Sequence, residues 1–253
     1  MRVIDKPWGK EEVIEINDRY TENTSKSRLW LNTGFDNLWQ AHHSLSLQYQ
    51  TSPEDTDEVK VLVGTYAMPI NDSNDRLAIY AVNSKSDVPA TGSLSVLGDG
   101  NITGLRYVIP MNGGDNYSHS LTLGADHKNF ADAIFFENGE QATQTKISYL
   151  QFSLNYRGNL MSEKSTLDFS LTANQGLNGI GNSEREFFDK RVIARADKNF
   201  PNVVYVLDQA HPSYFFINGF LNYERKISES GWRAFFGAGG QYTEDLLISN
   251  EQY

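Results

Sequence analysis

The stretch Leu150-Gln151-Phe152-Ser153-Leu154-Asn155-Tyr156-Arg157 alternates apolar and polar side chains without a break. Wound into a helix at about 100° per residue, its apolar positions would scatter around the axis. Extended, it puts Leu150, Phe152, Leu154 and Tyr156 on one face and Gln151, Ser153, Asn155 and Arg157 on the other. Leu167-Asp168-Phe169-Ser170-Leu171-Thr172-Ala173-Asn174 repeats the pattern, and so does Ser44-Leu45-Ser46-Leu47-Gln48-Tyr49-Gln50.

Carried along the chain, this reading predicts about eleven strands of about ten residues. They lie near 10–21, 27–38, 43–52, 58–68, 75–84, 101–110, 118–128, 145–157, 165–175, 213–226 and 231–243. Residues 183–196, with Phe187 and Phe188, are expected to form a loop or short helix. Short connections are expected at 39–42, 70–74, 111–117, 159–164 and 228–230, and longer ones at 53–57, 85–100, 129–143 and 176–212. The longer ones fall on one side of the sheet. Outer-membrane barrels segregate their loops this way, with short periplasmic turns and long extracellular loops.

Composition agrees. The 253 residues are 39% hydrophobic and 21% charged, and the mean hydropathy is −0.49. No run of about 18 apolar residues occurs, which excludes a helical membrane protein. It does not exclude a barrel, in which only every second strand residue meets lipid. Strands near ten residues suit a tilted crossing of the hydrocarbon core, whereas soluble sandwiches favour about 5–6. In lipid every backbone amide needs a partner, so such a sheet must close. An odd strand count therefore points to an incomplete barrel. The polar faces carry both charge signs: Arg28, Asn32 and Asp36 on one strand, Gln151, Asn155 and Arg157 on another, Asp168 and Asn174 on a third. Such a face suits a hydrated lumen. Trp39, Tyr66, Tyr107, Tyr149, Tyr214, Tyr223 and Trp232, near strand ends, are read as membrane-interface girdles.

The formal charge of −10, with no basic stripe, argues against a nucleic-acid partner. The absence of cysteine suits a bacterial envelope protein. Met1-Arg2-Val3-Ile4-Asp5 leads into charge rather than a signal sequence, so an exported chain is expected to have further residues upstream. No enzyme signature survives inspection. His42-His43 has no partner at metal-ligand spacing. Gly98-Asp99-Gly100 opens no helix. The acidic run Glu54-Asp55-Thr56-Asp57-Glu58 lacks the glycine and spacing of an EF-hand loop. No catalytic residue, cofactor or metal is expected.

Several segments carry a family resemblance. Phe35-Asp36-Asn37-Leu38-Trp39 precedes His42-His43-Ser44-Leu45-Ser46-Leu47-Gln48-Tyr49-Gln50-Thr51-Ser52-Pro53-Glu54, then Glu58-Val59-Lys60-Val61 and Tyr66-Ala67-Met68-Pro69. Gly98-Asp99-Gly100-Asn101-Ile102-Thr103-Gly104-Leu105-Arg106-Tyr107, Gly124-Ala125-Asp126-His127-Lys128-Asn129-Phe130 and the C-terminal Gly240-Gln241-Tyr242, Asp245–Ser249 and Glu251-Gln252-Tyr253 follow in order. Together they resemble the barrel of haemolysin secretion/activation proteins, the ShlB/FhaC/HecB transporters of two-partner secretion, in the BamA-like outer-membrane superfamily. The resemblance runs from about Pro7 to Tyr253.

It implies an all-β fold: an antiparallel transmembrane barrel of about sixteen strands, of which about eleven are present. Residues 1–9 would be the junction from a missing periplasmic POTRA domain, and residues 10–253 the N-terminal part of the barrel. It implies a bacterial outer-membrane protein, in contact with outer-membrane lipid, that passes an unfolded TpsA-type exoprotein (haemolysin or adhesin) outward without ATP. Activation of that cargo is a further activity of the family. The rival readings are a passive outer-membrane porin and a soluble β-rich carbohydrate-binding domain. The soluble domain would turn Leu45, Leu47, Phe152, Leu154, Phe169 and Leu171 into a dry core; a barrel would leave them on an open outer surface.

Overall fold

A computed structural model describes residues 9–18, 25–70, 74–85, 99–130, 133–137, 140–144, 146–181, 195–197, 200–205, 210–228, 231–245, 247 and 251. The main sheet has eleven strands: β1 (Gly9–Asn17), β2 (Arg28–Leu38), β3 (His43–Thr51), β4 (Lys60–Pro69), β5 (Arg76–Lys85), β6 (Gly100–Met111), β7 (Tyr117–Phe130), β10 (Ile147–Met161), β11 (Ser165–Leu177), β14 (Phe215–Lys226) and β15 (Arg233–Thr243). The hairpin β8 (Ala133–Glu137) and β9 (Glu140–Gln144) lies between β7 and β10, and β12 (Arg195–Asp197) with β13 (Phe200–Tyr205) lies between β11 and β14. Every predicted main strand is present. The two small hairpins were not expected. Of the segment read as a loop or short helix, residues 195–196 belong to β12 and 183–194 lie outside the described residues, as do residues 1–8 of the expected junction.

Each main strand pairs antiparallel with its sequence neighbour in the sheet, from β1 through to β15. Among the described residues no pairing joins β1 to β15, so the sheet is open. No helix among them is long and apolar enough to cross a membrane.

The register fixes the faces, because residues opposite one another in antiparallel strands point the same way. One row runs Leu105–Ala125–Phe152–Gln175–Phe215, and the next on the same face runs Tyr107–Leu123–Leu154–Ala173–Ile217. The opposite face carries Arg106–Gly124–Ser153–Asn174–Phe216. The alternation read in the sequence is therefore aligned across the whole sheet, which a slip of one residue in any pair would destroy. Leu47, Phe152, Leu154 and Leu171 are all exposed, the last two at 46% and 56%. Among the described residues no second layer covers them, as the barrel reading expects. The outward residues of β10 run from Leu150 to Leu160. At the usual rise those ten steps span about 33 Å, which a barrel tilt shortens to the roughly 25 Å of an outer-membrane apolar band.

The strand ends joined by the short connections (Leu38 to His43, Pro69 to Arg76, Met111 to Tyr117, Met161 to Ser165 and Lys226 to Arg233) lie at one end of the sheet; those joined by the longer ones (Asn17 to Arg28, Thr51 to Lys60, Lys85 to Gly100, Phe130 to Ile147 and Leu177 to Phe215) lie at the other. The first of the short turns is held in an unusual backbone. Asn37, Trp39, Gln40 and His42 all have φ between 54° and 58°, the left-handed region that side chains with a Cβ seldom occupy. Gln40 N donates to Asn37 O at 3.0 Å and His42 N to Asn37 Oδ1 at 3.1 Å. Trp39 packs edge-on against His43 and Tyr66.

At the long-connection end, two carboxylates clasp neighbouring loops. Glu58 accepts from Ser25 N at 2.9 Å and from Ser25 Oγ, and Glu54 accepts from Lys26 N and Ser27 Oγ. The Ser25 hydroxyl and amide hold the Glu58 carboxyl below its ordinary value. A depressed folded value means that this clasp contributes above the ordinary glutamate range and is lost as pH falls through the lowered value. Limited proteolysis in the 18–27 connection should therefore accelerate on acidification below that range, and Glu58→Gln should cleave quickly already at pH 7.

A second outcome tests the faces. In the complete protein, Leu154→Arg and Leu171→Arg should each impair insertion into lipid vesicles by about 2–4 kcal/mol. Thr122→Arg, on the opposite face, should insert nearly as the parent does. Equal defects on both faces would contradict the assignment.

Candidate functional site

The candidate site is the inner, polar face of the sheet. Its side chains come from every second position of the strands, so each is placed by the same register that turns the apolar residues outward. All eight polar-face residues singled out in the sequence lie on it: Arg28, Asn32, Asp36, Gln151, Asn155, Arg157, Asp168 and Asn174. Gln151, Asn155, Asp168 and Asn174 form ladders rather than a free surface. Gln151 Nε2 donates to Asn174 Oδ1 at 2.9 Å, and Asn155 Nδ2 donates to Ser170 Oγ and Thr172 Oγ1 at 2.7 Å each. Asn159 Nδ2 donates to Asp168 Oδ1 at 2.7 Å.

The strongest cluster on this face was not foreseen. Arg106 forms a two-pronged pair with Asp126, Nη1 to Oδ1 at 2.5 Å and Nη2 to Oδ2 at 2.7 Å. The Tyr80 hydroxyl donates to Asp126 Oδ1 at 2.6 Å and accepts from Arg106 Nη2 at 2.9 Å. Asp126 is 8% exposed. The two-pronged geometry is the strong form of such a contact. Two glycines make room for it. A Cβ on Gly104 would stand 2.2 Å from the Tyr80 ring and 2.3 Å from Asp126 Oδ1. A Cβ on Gly124 would stand 2.9 Å from Arg106 Nη1. Every partner has inward parity in the sequence, but the pairing spans three strands and emerges only from the register.

Toward the long-connection end an apolar cluster joins the polar groups of the inner face. Val61, Val63, Val82, Ile102, Phe130, Ile147, Tyr149, Tyr214 and Phe216 are buried there in one apolar cluster. Tyr149 and Tyr214 are therefore not girdle residues: both are fully buried, edge to face, with ring centroids 6.2 Å apart. Trp39, Tyr66, Tyr107, Tyr223 and Trp232 form a belt at the short-connection end, and Tyr66, Tyr107 and Tyr223 have outward register parity. Tyr117, Tyr156 and Phe169 join this belt: Tyr117 Oη lies 2.6 Å from Tyr156 Oη, and the Tyr156 and Phe169 rings are 5.9 Å apart.

The motifs weighed for enzyme chemistry are placed elsewhere. His42 is in the strained turn, and His43 Nδ1 hydrogen-bonds Tyr66 Oη. Glu54 and Glu58 form the loop clasp. Gly98 lies outside the described residues. Among the described residues no group of three or more His, Cys, Asp or Glu side chains is placed to hold a metal.

An open antiparallel sheet with an apolar outer face and a laddered polar inner face is the wall of a membrane barrel. The family model for haemolysin secretion/activation protein ShlB/FhaC/HecB matches residues 3–253. The chain belongs to this family. Among solved structures it is similar to CdiB from Escherichia coli, with a TM-score of 0.66 and 11% identity over 99% of this chain and 43% of that one. It is also similar to BamA from Haemophilus ducreyi lacking POTRA domains 1–3, with a TM-score of 0.51 and 12% identity over 92% of this chain and 46% of that one. At these identities the likeness shows the fold, and the chain spans less than half the length of either structure. No curated protein matches the sequence. As a ShlB/FhaC/HecB member with this fold, the chain is an incomplete antiparallel barrel of the bacterial outer membrane. In outer-membrane barrels short turns lie on the periplasmic side and long connections at the cell surface.

Removing Arg106 would strand Asp126 in a nearly dry site, which is far costlier than replacing both partners. Arg106→Met in the complete protein should lower stability by about 3 kcal/mol, and Arg106→Met with Asp126→Leu should recover most of it. Denaturant titrations in lipid vesicles, followed by tryptophan fluorescence, would check this.

Proposed function

We propose that the complete protein is the outer-membrane transporter of a two-partner secretion system and that it passes an unfolded haemolysin- or adhesin-type exoprotein to the cell surface. Residues 1–9 are then the junction to a periplasmic domain that receives the cargo, and residues 10–253 the first part of the pore wall. The observation that carries this reading is the laddered inner face. Amides and hydroxyls of Gln151, Ser153, Asn155, Ser170, Thr172 and Asn174 face the lumen side by side. They bond mainly to one another. A wall whose hydrogen bonds are already satisfied offers a moving backbone only weak contacts, so an extended chain slides along it without being trapped. In this reading the polypeptide's own free energy, rather than a bound nucleotide, drives export.

Activation of the cargo is part of the same proposal. The pore delivers the exoprotein in extended form, and it first folds outside the cell. Cells that carry the complete gene together with its partner exoprotein should release that exoprotein into the medium. Deleting the transporter should leave it in the periplasm. Haemolytic or adhesive activity per molecule released should exceed that of exoprotein freed by breaking open the periplasm. Equal release with and without the transporter would overturn the proposal.

A further inference from the structure

The outward face is not apolar throughout. At the long-connection end, β5, β6, β7 and β10 turn polar side chains to the outside. Register sets Asn83, Asn101, Asn129 and Ser148 side by side in one row, and Thr103 beside His127 in the next. All share the parity of Leu105 and Leu123. Asn83 Nδ2 donates to Asn101 Oδ1, and His127 Nε2 lies 2.9 Å from Ser148 Oγ. Two residues beyond Asn83, Lys85 stands directly opposite Lys60 of β4. Like charges so placed repel one another. Asp57 holds the Lys60 ammonium at 2.6 Å. Lys85 is exposed, and among the described residues it has neither a hydrogen bond nor an ion pair.

Toward mid-sheet from these rows lies a groove in the outer surface, with a volume of about 520 Å³. That is within the roughly 300–1,000 Å³ of small-molecule sites. Leu105, Leu123, Phe152 and Leu154 stand around Ala125 and Ala173, whose single methyl groups leave the slot open. His127 is two residues from Ala125 along β7, so the polar rows begin about 7 Å from the groove. Lys85 is two strand spacings, about 10 Å, from β7.

Groove, rows and lysine have one complement. A hydrocarbon slot takes an acyl chain. A row of amides, a hydroxyl and an imidazole takes a sugar, whose hydroxyls donate and accept in turn. A lysine facing a second lysine takes a phosphate, which turns their repulsion into attraction. A glycerophospholipid supplies the chain and the phosphate but no sugar ring to span the rows. In outer-membrane barrels the long connections lie at the cell surface, and the lipid of that leaflet is lipopolysaccharide, whose lipid A is an acylated, phosphorylated disaccharide. The outward residues of the short-turn end, Tyr66, Tyr107 and Tyr223, offer rings in place of such a row.

We propose that the outward face of β5, β6, β7 and β10 at the long-connection end binds the lipid A portion of one lipopolysaccharide molecule. An acyl chain lies in the groove between Leu123 and Leu154, the disaccharide lies over Asn101 and His127, and a phosphate is held at Lys85. This site goes beyond the transport reading and does not depend on it.

The test titrates the complete protein, in non-ionic detergent, with diphosphoryl lipid A, lipid A stripped of phosphate, and phosphatidylglycerol. Bound lipid is counted by native mass spectrometry, and heat-modifiable migration on gels checks that each variant is folded. The parent should take up one diphosphoryl lipid A, on the order of tenfold more tightly than either comparison lipid. Lys85→Gln should lose most of the preference for phosphorylated over stripped lipid A. Ala125→Leu, which fills the groove and leaves the polar rows alone, should weaken both forms of lipid A. Arg225→Gln removes an exposed outward cation at the short-turn end and should change neither. Equal binding of lipid A and phosphatidylglycerol by the parent, or equal losses from Lys85→Gln and Arg225→Gln, would overturn the site. Exoprotein release is scored separately in cells. Export without this lipid preference would remove the site and leave the transport reading standing, and lipid A binding by a barrel that exports nothing would do the reverse.

Discussion

Everything in this molecule follows from the cost of an unpaired backbone amide in hydrocarbon. In lipid no water is available to a free N–H or C=O, and each one left without a partner costs several kcal/mol. The chain meets that requirement by pairing neighbour with neighbour over eleven strands, in a register that shifts only near the turn joining β2 and β3. Once the pairing is set, side-chain direction is no longer free. Leu154 faces out because Ser153 faces in, and the same parity carries through Leu123, Ala173 and Ile217.

The inner face obeys a second constraint, that buried polar groups be satisfied. The Arg106–Asp126–Tyr80 cluster meets it with a two-pronged ion pair seated over two glycines. The amide ladders of β10 and β11 meet it with neutral groups that donate and accept in turn. The two solutions differ in consequence. The charged cluster ties β5, β6 and β7 into one rigid panel, while the ladders leave a smooth wall along β10, β11 and β14.

Much of this was legible in the sequence, and the failures have physical causes. The eleven main strands announced themselves because alternation is a local signal. The hairpins β8–β9 and β12–β13 did not, because they are short elements inside long connections. Tyr149 and Tyr214 were misread through nearness to strand ends, although parity assigns them inward: Tyr149 shares its face with Gln151, and Tyr214 with Phe216. The run Val61-Leu62-Val63 breaks alternation, with Val61 and Val63 buried on one face and Leu62 exposed on the other. That continuous apolar stretch is the local sign of a filled lumen end. The pairing of Arg106 with Asp126 joins residues whose meeting is decided by register, which no short window contains.

The uneven distribution of aromatic rings sets how the protein rides in its bilayer. Trp39, Tyr66, Tyr107, Tyr117, Tyr156 and Tyr223 crowd the short-turn rim, several of them interlocked through hydroxyl and edge contacts, and rings of this kind prefer the headgroup layer. The short-turn end would thereby be the datum from which depth in a bilayer is measured. A membrane of different thickness would then be accommodated mainly at the opposite end of the strands, where the described residues carry fewer outward-facing rings.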